Sequence, residues 1–306
     1  MFDLIIIGGG PAGITAGIYA IRKRINTLII VKSFAGQITR TFLIENYPGF
    51  SEISGVELLE KLKEHLDKFK ANIKEGEKVI EIKQKNGIFE VKTSNRNNYL
   101  AKSVIVASGA EPKLLKVPGE KEFTGKGVSY CTICDAPFFK ERDVAIIGSG
   151  NSGLGATLEM VKYAKKVYIL EFSSELKGDK IIQEKVIENK KIEFIFSASV
   201  KKIKGDKFVK SLIYEDHNSK KKIELPVSGI FIQIGYTPIG DFAKNLVSFN
   251  EKKEIIINPQ TNETKTPGLF AAGDVSSIPF KQMIIAAGEG AKAALSCYEY
   301  LKKLGN

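Results

Sequence analysis

The sequence predicts an α/β fold that contains two βαβ units, each with a glycine-rich turn between its first strand and its helix. In the first unit, the apolar strand Asp3–Ile7 runs into a glycine-rich turn that spans Gly8 to Gly13. A helical pattern continues from Ile14 to about Arg22, and a second strand covers Thr27–Val31. This order of strand, turn, helix and strand is typical of a dinucleotide-binding unit.

The same pattern returns near the middle of the chain. Strand Val144–Ile147 leads into Gly148-Ser149-Gly150-Asn151-Ser152-Gly153, a helix reaches about Tyr163, and strand Lys166–Leu170 follows. In such a turn the first glycine permits tight bending, the second lets the backbone approach a pyrophosphate, and the third packs helix on strand. The helix N-terminus supplies the anion site. Two such fingerprints predict two Rossmann-like dinucleotide-binding domains.

Further strands are predicted between the two units and near the C-terminus. Ile88–Val91 reads as a short strand that continues through Lys92 to a polar turn at residues 95–98, and Ser103–Ala107 reads as another that ends at Gly109. A later strand ends at Gly273-Asp274, where a carboxylate can reach a ribityl or ribose hydroxyl. The ends of these strands add to the predicted site of the first domain.

Two segments, residues 112–118 and 235–240, have the composition of crossings between domains. We therefore predict a discontinuous first domain, residues 1–112 and 240–306, with the second domain, residues 113–239, inserted into it.

Composition excludes several classes of protein. The chain has 306 residues and a net charge of +11 that comes from lysines spread along the sequence. We predict a solvated basic surface, with steering of an acidic partner protein as the alternative, and no nucleic-acid site. The N-terminal apolar run, Leu4 to Ile7, is too short for a membrane span or signal segment, so we expect no membrane association and a cytoplasmic location.

A C-x-x-C pair, Cys131-Thr132-Ile133-Cys134, lies just before the second fingerprint. Two cysteines at this spacing form a redox dithiol in which one sulfur is a thiolate and the other resolves it. The third cysteine, Cys297, lies in an apolar helical pattern and is predicted to be a small buried hydrophobe. We expect no metal site. A dithiol beside two dinucleotide sites indicates a flavin-linked disulfide reductase.

Such chemistry needs a group that moves a proton, and histidine is the usual choice. Neither His65 nor His217 lies near any of the motifs in the sequence. Asp135, directly after the dithiol, is the nearest titratable group and the predicted proton donor and acceptor. Its alternative role is that of a turn or helix-cap aspartate.

Donor specificity is predicted from Glu171, which follows the second strand of the second unit. A carboxylate there accepts hydrogen bonds from the ribose hydroxyls of NADH and repels the 2′-phosphate of NADPH. The following residues contain no arginine, and Lys177 is a poor substitute for an arginine clamp. NADH is therefore the expected donor. The corresponding position in the first unit holds Lys32, so the ribose there must be bound by other groups.

The residues identified above match a known family. The chain resembles the low-molecular-weight thioredoxin reductases over essentially its whole length, and Lys281-Gln282-Met283 through Lys292 is most similar to the flavoprotein component of alkyl hydroperoxide reductase. That component carries an additional N-terminal thioredoxin-like domain, whereas this sequence begins at the first fingerprint. The motifs that carry the resemblance are Gly8 to Gly13, Glu45 to Gly49, Cys131 to Asp135, Gly148 to Gly153 and Ala272 to Asp274.

The resemblance implies FAD in the first domain, NADH or NADPH in the second, and a redox disulfide beside the flavin. Cys134 would face the flavin ring, Cys131 would attack the disulfide of a thioredoxin- or glutaredoxin-like partner, and the second domain would rotate about Gly235 and Gly240. Homodimers are common in the family. The implied FAD-binding residues are Gly8, Gly10, Pro11, Ala12, Gly13, Gln37, Asn46, Gly109, Gly273, Asp274, Lys281 and Gln282. Those implied for NAD(P)H are Gly148, Gly150, Asn151, Ser152, Gly153 and Glu171.

Other functions use overlapping residues. Some relatives take electrons from ferredoxin or a deazaflavin, and their nucleotide fingerprints decay, whereas all three glycines of the second fingerprint are present here. A dithiol oxidase would use FAD and the same cysteines without NADH. A reductase of a peroxiredoxin system differs in its protein acceptor. A redox-inactive nucleotide sensor would purify as a colourless protein.

Overall fold

The structure is a computed structural model that describes residues 1–34, 36–41 and 44–305. Its α-helices are α1 (Pro11–Arg22), α2 (Gly55–Asp67), α3 (Thr132–Asp135), α4 (Asn151–Met160), α5 (Lys180–Ile187) and α6 (Met283–Leu304). The strands of the first half are β1 (Phe2–Ile7), β2 (Thr27–Val31), β3 (Asn72–Glu75), β4 (Val79–Lys85), β5 (Ile88–Thr93), β6 (Asn98–Val106), β7 (Ala110–Pro112), β8 (Val128–Ser129) and β9 (Asp143–Ile147). The remaining strands are β10 (Lys166–Leu170), β11 (Ile192–Ile195), β12 (Ala198–Gly205), β13 (Val209–Asp216), β14 (Lys222–Pro226), β15 (Gly229–Ile232), β16 (Tyr236–Pro238) and β17 (Leu269–Ala271).

The chain forms two compact units, and the second interrupts the first. Unit 1 comprises Met1–Thr39, Ile44–Glu111 and Thr237–Asn306, and unit 2 comprises Arg40–Leu43 and Pro112–Tyr236. Unit 1 contains a mixed sheet and unit 2 contains a parallel sheet, and each unit has one of the two glycine-rich turns. The two connecting strands, β7 and β16, pair with each other.

The sheet of unit 1 has the order β3-β2-β1-β6-β5-β4, and β17 also pairs with β6. Strand β1 is parallel to both β2 and β6. Its residues Leu4, Ile5 and Ile6 are fully buried, as expected for a central strand that is covered on both faces. Helix α1 packs closely on the sheet because Gly17 has no side chain, and a Cβ there would lie 2.6 Å from Ile29 Cδ1.

Local signals explain two further elements of unit 1. Helix α2 begins at a capping box, in which the Ser54 hydroxyl accepts from the Glu57 backbone N–H and the Glu57 carboxylate accepts from Ser54 N–H. Strands β4 and β5 form a hairpin whose two turn residues, Asn86 and Gly87, both have positive φ, 51° and 78°. That combination matches the twist of a two-residue hairpin.

Strand β6 is longer than the sequence analysis predicts. It begins at Asn98 instead of Ser103, because its first residues form an antiparallel ladder with β5 that pairs Val91 with Tyr99 and Lys92 with Asn98. The polar turn is correspondingly tight and includes Arg96 with a φ of 65°.

Unit 2 contains a five-stranded sheet of order β11-β10-β9-β15-β8, in which all neighbours are parallel. A separate antiparallel sheet, β12-β13-β14, follows β11 and precedes β15. The sequence analysis does not predict this second sheet. The glycine-rich turn from Gly148 to Gly153 joins β9 to α4, so it lies at the carboxyl edge of the parallel sheet, where open α/β sheets bind ligands.

Candidate functional site

The first glycine-rich turn is held together by backbone contacts that exclude side chains. Gly8 has a φ of +124°, and a Cβ on it would lie 2.1 Å from the carbonyl oxygen of Ala107. A Cβ on Gly13 would lie 2.0 Å from the carbonyl oxygen of Gly8. Both positions therefore require glycine, and the two contacts fix the start of α1 against β1 and β6.

The second turn repeats this arrangement. Gly148 has a φ of +101°, and its Cβ would lie 2.4 Å from the carbonyl oxygen of Gln233, while a Cβ on Gly153 would lie 2.0 Å from that of Gly148. The middle glycines differ from these, because a Cβ on Gly10 or on Gly150 meets no atom within 4 Å. The backbone at the middle position therefore faces open space in both turns, as an approaching ligand requires.

The helices that follow these turns have N-termini without side-chain caps. Neither Gly10, before α1, nor Gly150, before α4, provides a capping side chain, in contrast to the capping box of α2. The first backbone N–H groups of a helix have no intrahelical acceptor. In α1 these belong to Ala12 and Gly13, since Pro11 has no N–H, and in α4 to Asn151, Ser152 and Gly153. Both helix ends therefore have the donors and the dipole direction that bind a phosphate.

Unit 1 also brings together residues that are far apart in sequence. The amide of Gln37 donates a hydrogen bond to Asp274 Oδ2 at 2.9 Å, and the amide of Asn46 donates to Gln282 Oε1 at 3.3 Å. Each pair is separated by more than two hundred residues. The structure thus places four of the implied FAD-binding residues in two contacting pairs.

The surroundings of Asp274 are polar and partly buried. Burial raises the pKa of Asp274, and the hydrogen bond from Gln37 and the charge of Lys281 only partly oppose that rise. Lys281 itself pairs with Glu254 at 2.9 Å and donates to the Ser276 carbonyl at 2.5 Å. The ammonium group of Lys281 is therefore held where its charge acts on the carboxylate of Asp274.

Two more of the implied glycines have left-handed backbones. Gly273 has a φ of +76°, and a Cβ there would lie 3.0 Å from the Cβ of Ala12, which places the turn after β17 against the start of α1. Gly109 has a φ of +66° with no atom within 4 Å of its Cβ position. The turns after β1, β6 and β17 thus share the carboxyl edge of the unit 1 sheet.

Glu171 lies at the end of β10, directly against the second glycine-rich turn. Its Oε2 accepts hydrogen bonds from the backbone N–H of Ser149 at 2.9 Å and from the Ser149 hydroxyl at 2.6 Å. Its Oε1 accepts from the backbone N–H and the hydroxyl of Ser173, both at 3.0 Å. Burial raises the pKa of Glu171, but the hydrogen bonds together lower it below its usual value. A fixed negative charge therefore stands beside this turn.

Cys131 and Cys134 form a disulfide at the start of unit 2's short helix α3. Cys134 is exposed and Cys131 is half-buried. The backbone N–H of Cys134 donates a hydrogen bond to Cys131 Sγ at 3.3 Å. After reduction this contact favours a thiolate at Cys131, because a hydrogen bond to sulfur and a helix start both stabilise the charged form.

Asp135 follows Cys134 and precedes a 3-10 helix, Ala136–Phe139. Its side chain makes no capping hydrogen bond to that helix. No capping hydrogen bond thus accounts for Asp135, and its role in proton transfer stays a prediction.

The segment before the disulfide is anchored by residues that the sequence analysis does not identify. The hydroxyl of Tyr130 donates to the buried carboxylate of Glu120 at 2.8 Å, and burial raises the pKa of Tyr130 to about 12. The Gln233 amide donates to the Tyr130 carbonyl at 3.4 Å. Gln233 is a polar residue directly after the buried strand β15. A polar residue at the carboxyl end of a buried strand is the sequence signal that would have indicated Gln233 as part of the site.

The fold brings one of the two histidines close to a motif from which it is distant in sequence. His217 lies in contact with the residue after Glu171, since its ring and that of Phe172 are 4.7 Å apart between centroids. The two residues are far apart in sequence, and the hairpin of β12 and β13 brings them together. His217 is thus next to a motif of the predicted nucleotide site.

The other sequence expectations concern single residues. Lys32 is exposed at the end of β2. Cys297 is fully buried, as predicted, and contacts the Ser103 hydroxyl at 3.1 Å. Burial raises the pKa of its thiol to about 12.

Within the described residues, no cluster of three or more histidine, cysteine, aspartate or glutamate side chains has a metal-binding arrangement. No helix in the described part of the chain combines the length and apolar character needed to cross a membrane.

Comparison with known proteins places these features in a family. Residues 2–292 match the family described as "Pyridine nucleotide-disulphide oxidoreductase". A component of the alkyl hydroperoxide reductase of Pseudomonas aeruginosa is 40% identical over 304 residues, which cover 98% of this chain and 58% of the relative. A Bacillus subtilis protein named NADH dehydrogenase is 36% identical over 300 residues, again 98% of this chain and 58% of the relative. The chain thus spans 58% of the length of these curated relatives.

Solved structures give the same result over whole chains. Thioredoxin reductase of Lactococcus lactis has a TM-score of 0.95 at 34% identity and covers 99% of this chain and 100% of its own. Thioredoxin reductase of T. acidophilum has a TM-score of 0.92 at 38% identity, with 97% and 98% covered. The predicted fold, two Rossmann-type domains with the second inserted into the first, and the predicted family are confirmed. The chain belongs to the pyridine nucleotide-disulphide oxidoreductase family.

Proposed function

We propose that this chain is an FAD-dependent disulfide reductase. It takes electrons from NADH, or less well from NADPH, and passes them through Cys131–Cys134 to a disulfide of a thioredoxin- or glutaredoxin-like protein. The observation that carries this proposal is that unit 2 holds a disulfide with one exposed cysteine together with a complete glycine-rich nucleotide turn. A dithiol and a nucleotide site on one unit match the chemistry of pyridine nucleotide-linked disulfide reduction.

The residues of unit 1 fit FAD. The backbone at Gly10 faces open space and the α1 N-terminus offers unpaired N–H groups for the pyrophosphate. The pairs Gln37–Asp274 and Asn46–Gln282 offer polar atoms for the remainder of the cofactor. When bound, FAD supplies the two-electron link between a nicotinamide and a disulfide.

The residues of unit 2 fit NADH better than NADPH. The α4 N-terminus is open for the pyrophosphate, and the charge of Glu171 is fixed by Ser149 and Ser173. A ribose with free hydroxyls can donate to this carboxylate in place of the serine hydroxyls that now donate to it, whereas a 2′-phosphate would be repelled by it.

Cys131, Cys134 and Asp135 have different roles in disulfide exchange. The Cys131 thiolate attacks the partner disulfide and forms a mixed disulfide, and the Cys134 sulfur then attacks Cys131 and releases the reduced partner. Two electrons leave the dithiol and the Cys131–Cys134 bond is formed again. We assign to Asp135 the transfer of the protons that the thiols lose and gain.

The assembly and compartment are part of the same proposal. A dithiol that must return to its reduced state suits a reducing compartment, which favours the cytoplasm. The family resemblance favours a homodimer. The complete second turn argues against a ferredoxin- or deazaflavin-linked reductase and against a dithiol oxidase, because neither needs a nucleotide there.

An anaerobic titration tests the proposal. NADH added to the yellow protein should bleach the flavin absorbance, and an excess of oxidised thioredoxin-like protein should then restore it. A protein that dithionite bleaches but neither NADH nor NADPH does would refute the nucleotide donor. A protein that NADH bleaches but no protein disulfide reoxidises anaerobically would refute the disulfide acceptor.

A matched pair of alanine variants separates the folding role of the first glycine-rich turn from its binding role. Gly13→Ala should lower the free energy of unfolding of the apoprotein by about 3 kcal/mol, because the new Cβ collides with a backbone oxygen. Gly10→Ala should leave the apoprotein as stable as wild type, because its backbone is extended and the Cβ is unobstructed. Flavin affinity of Gly10→Ala should nevertheless fall about tenfold, a loss of about 1.4 kcal/mol. Calorimetry of the apoprotein and flavin titration measure the two effects, and equal behaviour of the two variants would contradict this division.

Phe138 gives a prediction about the partner. This side chain follows the disulfide by four residues and is 73% exposed. An exposed apolar ring this close in sequence to the disulfide is suited to contact a docked protein. Phe138→Ala should lower kcat/KM for a thioredoxin-like protein about tenfold and leave the rate with a small aromatic disulfide unchanged. Phe208→Ala, at a 62% exposed site, is the control, and an equal loss with both acceptors would show that Phe138 acts on the dithiol itself.

A further inference from the structure

Ser129 is a buried polar residue that lies just before the redox disulfide in the sequence. It is the last residue of β8, an edge strand of the parallel sheet in unit 2, where it lies opposite Phe231 of β15. Ser129 is only 6% exposed. A hydroxyl buried to this degree needs hydrogen bonds that replace its contacts with water, so its partners indicate its role.

Two hydrogen bonds join the Ser129 hydroxyl to the backbone of Cys131. The Cys131 N–H donates to Ser129 Oγ at 3.0 Å, and the Ser129 hydroxyl donates to the Cys131 carbonyl at 3.2 Å. One side chain thus binds the backbone groups on both sides of the Cys131 α-carbon. These bonds hold Cys131 in an extended conformation, with a φ of −130° and a ψ of 99°.

The backbone conformation of Cys131 determines where its sulfur lies. An extended residue directly before a helical turn can direct its side chain to the N–H groups of that turn. Cys131 has this position before α3, and its Sγ accepts a hydrogen bond from the Cys134 N–H at 3.3 Å. A rotation of the Cys131 backbone would therefore take the sulfur away from its donor.

The residue between Ser129 and Cys131 is held by different contacts. The Tyr130 hydroxyl donates to Glu120, and the Tyr130 carbonyl accepts from Gln233. Loss of the Ser129 hydroxyl should therefore leave the segment attached at Tyr130 and release only the backbone of Cys131. For this reason the effect of Ser129 on the sulfur can be measured in a folded variant.

We propose that Ser129 is a positioning residue that holds the Cys131 sulfur against the Cys134 N–H, and thereby keeps this sulfur a thiolate in the reduced enzyme. The inference rests on the proposed function, in which Cys131 attacks the partner disulfide, and it names a residue that controls that step. A hydrogen bond to sulfur favours the charged form, and the thiolate is the nucleophile. The role requires a side chain that donates and accepts at once, which serine and threonine provide and alanine does not.

Alkylation by iodoacetamide at a series of pH values tests the proposal, in flavin-loaded protein that carries Cys134→Ser. This parent protein leaves Cys131 as the reactive thiol, because Cys297 is fully buried, and it keeps the backbone N–H of residue 134. Addition of Ser129→Ala should lower the alkylation rate about tenfold at pH values below the pKa of Cys131, because the thiol then keeps its proton to a higher pH. At high pH, where the thiol is ionised in both proteins, the two rates should be equal.

Two further variants of the same parent protein are controls. Ser129→Thr keeps a hydroxyl and should have the pH profile of the parent. Ser211→Ala removes another serine of unit 2 that is 6% exposed and donates to Glu224 at 2.6 Å, and it should leave the profile unchanged. The proposal is overturned if Ser129→Ala has the profile of the parent, or if its rate is lowered equally at every pH, which would show an effect on access to the sulfur instead of on its ionisation.

The proposed function is tested separately, by the bleaching and reoxidation of the wild-type flavin. If wild type reduces protein disulfides and Ser129→Ala has the profile of the parent, the positioning role is wrong and the function stands. If wild type reduces no protein disulfide but Ser129→Ala shifts the profile as expected, the positioning of Cys131 is supported and the protein acceptor is wrong.

Discussion

Replacement of Cys134 by serine is expected to abolish the reduction of protein disulfides while NADH still reduces the flavin. Turnover with a thioredoxin-like acceptor should fall by about a thousandfold or more, because a serine oxygen can neither form the disulfide nor resolve a mixed disulfide. The flavin and nucleotide sites keep all their residues in this variant. Stopped-flow bleaching by NADH and steady-state disulfide reduction measure the two half-reactions separately.

The same variant should reveal which sulfur attacks the partner. With Cys134 replaced, a thiolate at Cys131 should form a mixed disulfide with the partner that persists on a non-reducing gel. Cys131→Ser should form much less of this adduct, because the hydrogen bond from Cys134 N–H that favours a thiolate lies at Cys131. Cys297→Ala is the control, since that thiol is fully buried. More adduct with Cys131→Ser than with Cys134→Ser would reverse the two roles.

Removal of the Glu171 carboxylate is expected to change which donor the enzyme prefers. Glu171→Ala should lower kcat/KM for NADH about 10- to 100-fold, since the ribose loses its acceptor, and should leave kcat/KM for NADPH unchanged or improved. The preference for NADH over NADPH should therefore largely disappear. Anaerobic flavin reduction by each donor gives both values directly.

Two further variants identify the cause of that change. Glu171→Gln keeps oxygen and volume but removes the charge, so it should relieve the repulsion of the 2′-phosphate while it retains part of the contact with Ser149 and Ser173. Glu175→Ala removes a nearby carboxylate that is mostly exposed and paired with Lys177, and should leave the preference intact. A Glu171→Ala enzyme with the wild-type ratio of NADH to NADPH would show that Glu171 serves only to hold the loop.

The glycine-rich turns could be predicted because everything that defines them is local. The requirement for glycine at Gly8 and Gly13, or at Gly148 and Gly153, arises within one strand, one turn and one helix. The disulfide is equally local, because Cys131 and Cys134 are three residues apart. In these features, residues that are close together in the sequence are also close together in space.

Helix α2 carried a local signal that the sequence analysis did not use. Ser54 and Glu57 have the spacing of a capping box before an amphipathic run. The antiparallel sheet β12-β13-β14 offered less, because its many exposed lysines obscure the alternation of buried and exposed residues and its pairing depends on distant partners.

The contacts between distant residues were beyond the reach of pattern reasoning. His217 is near Phe172 only because β13 returns along β12, and the tie between Glu120 and Tyr130 depends on a turn that bends back on itself. Whether Glu171 is an exposed strand-end charge or a buried one is decided by two serines, one from each side of the strand end. Such contacts follow from the tertiary fold, which no single segment specifies.

The two ends of the inserted segment are held close together by backbone hydrogen bonds within each unit. In unit 2 the backbone N–H of Lys113 donates to the carbonyl of Gly235 at 2.9 Å, and in unit 1 that of Ile239 donates to Gly109 at 2.9 Å. Entry and exit of the inserted segment are thus adjacent on both sides of the junction, as in domains that tolerate insertion and exchange. The cysteine pair and the second glycine-rich turn therefore lie on one inserted segment, so replacement of a single stretch of gene would exchange both while unit 1 stays unchanged.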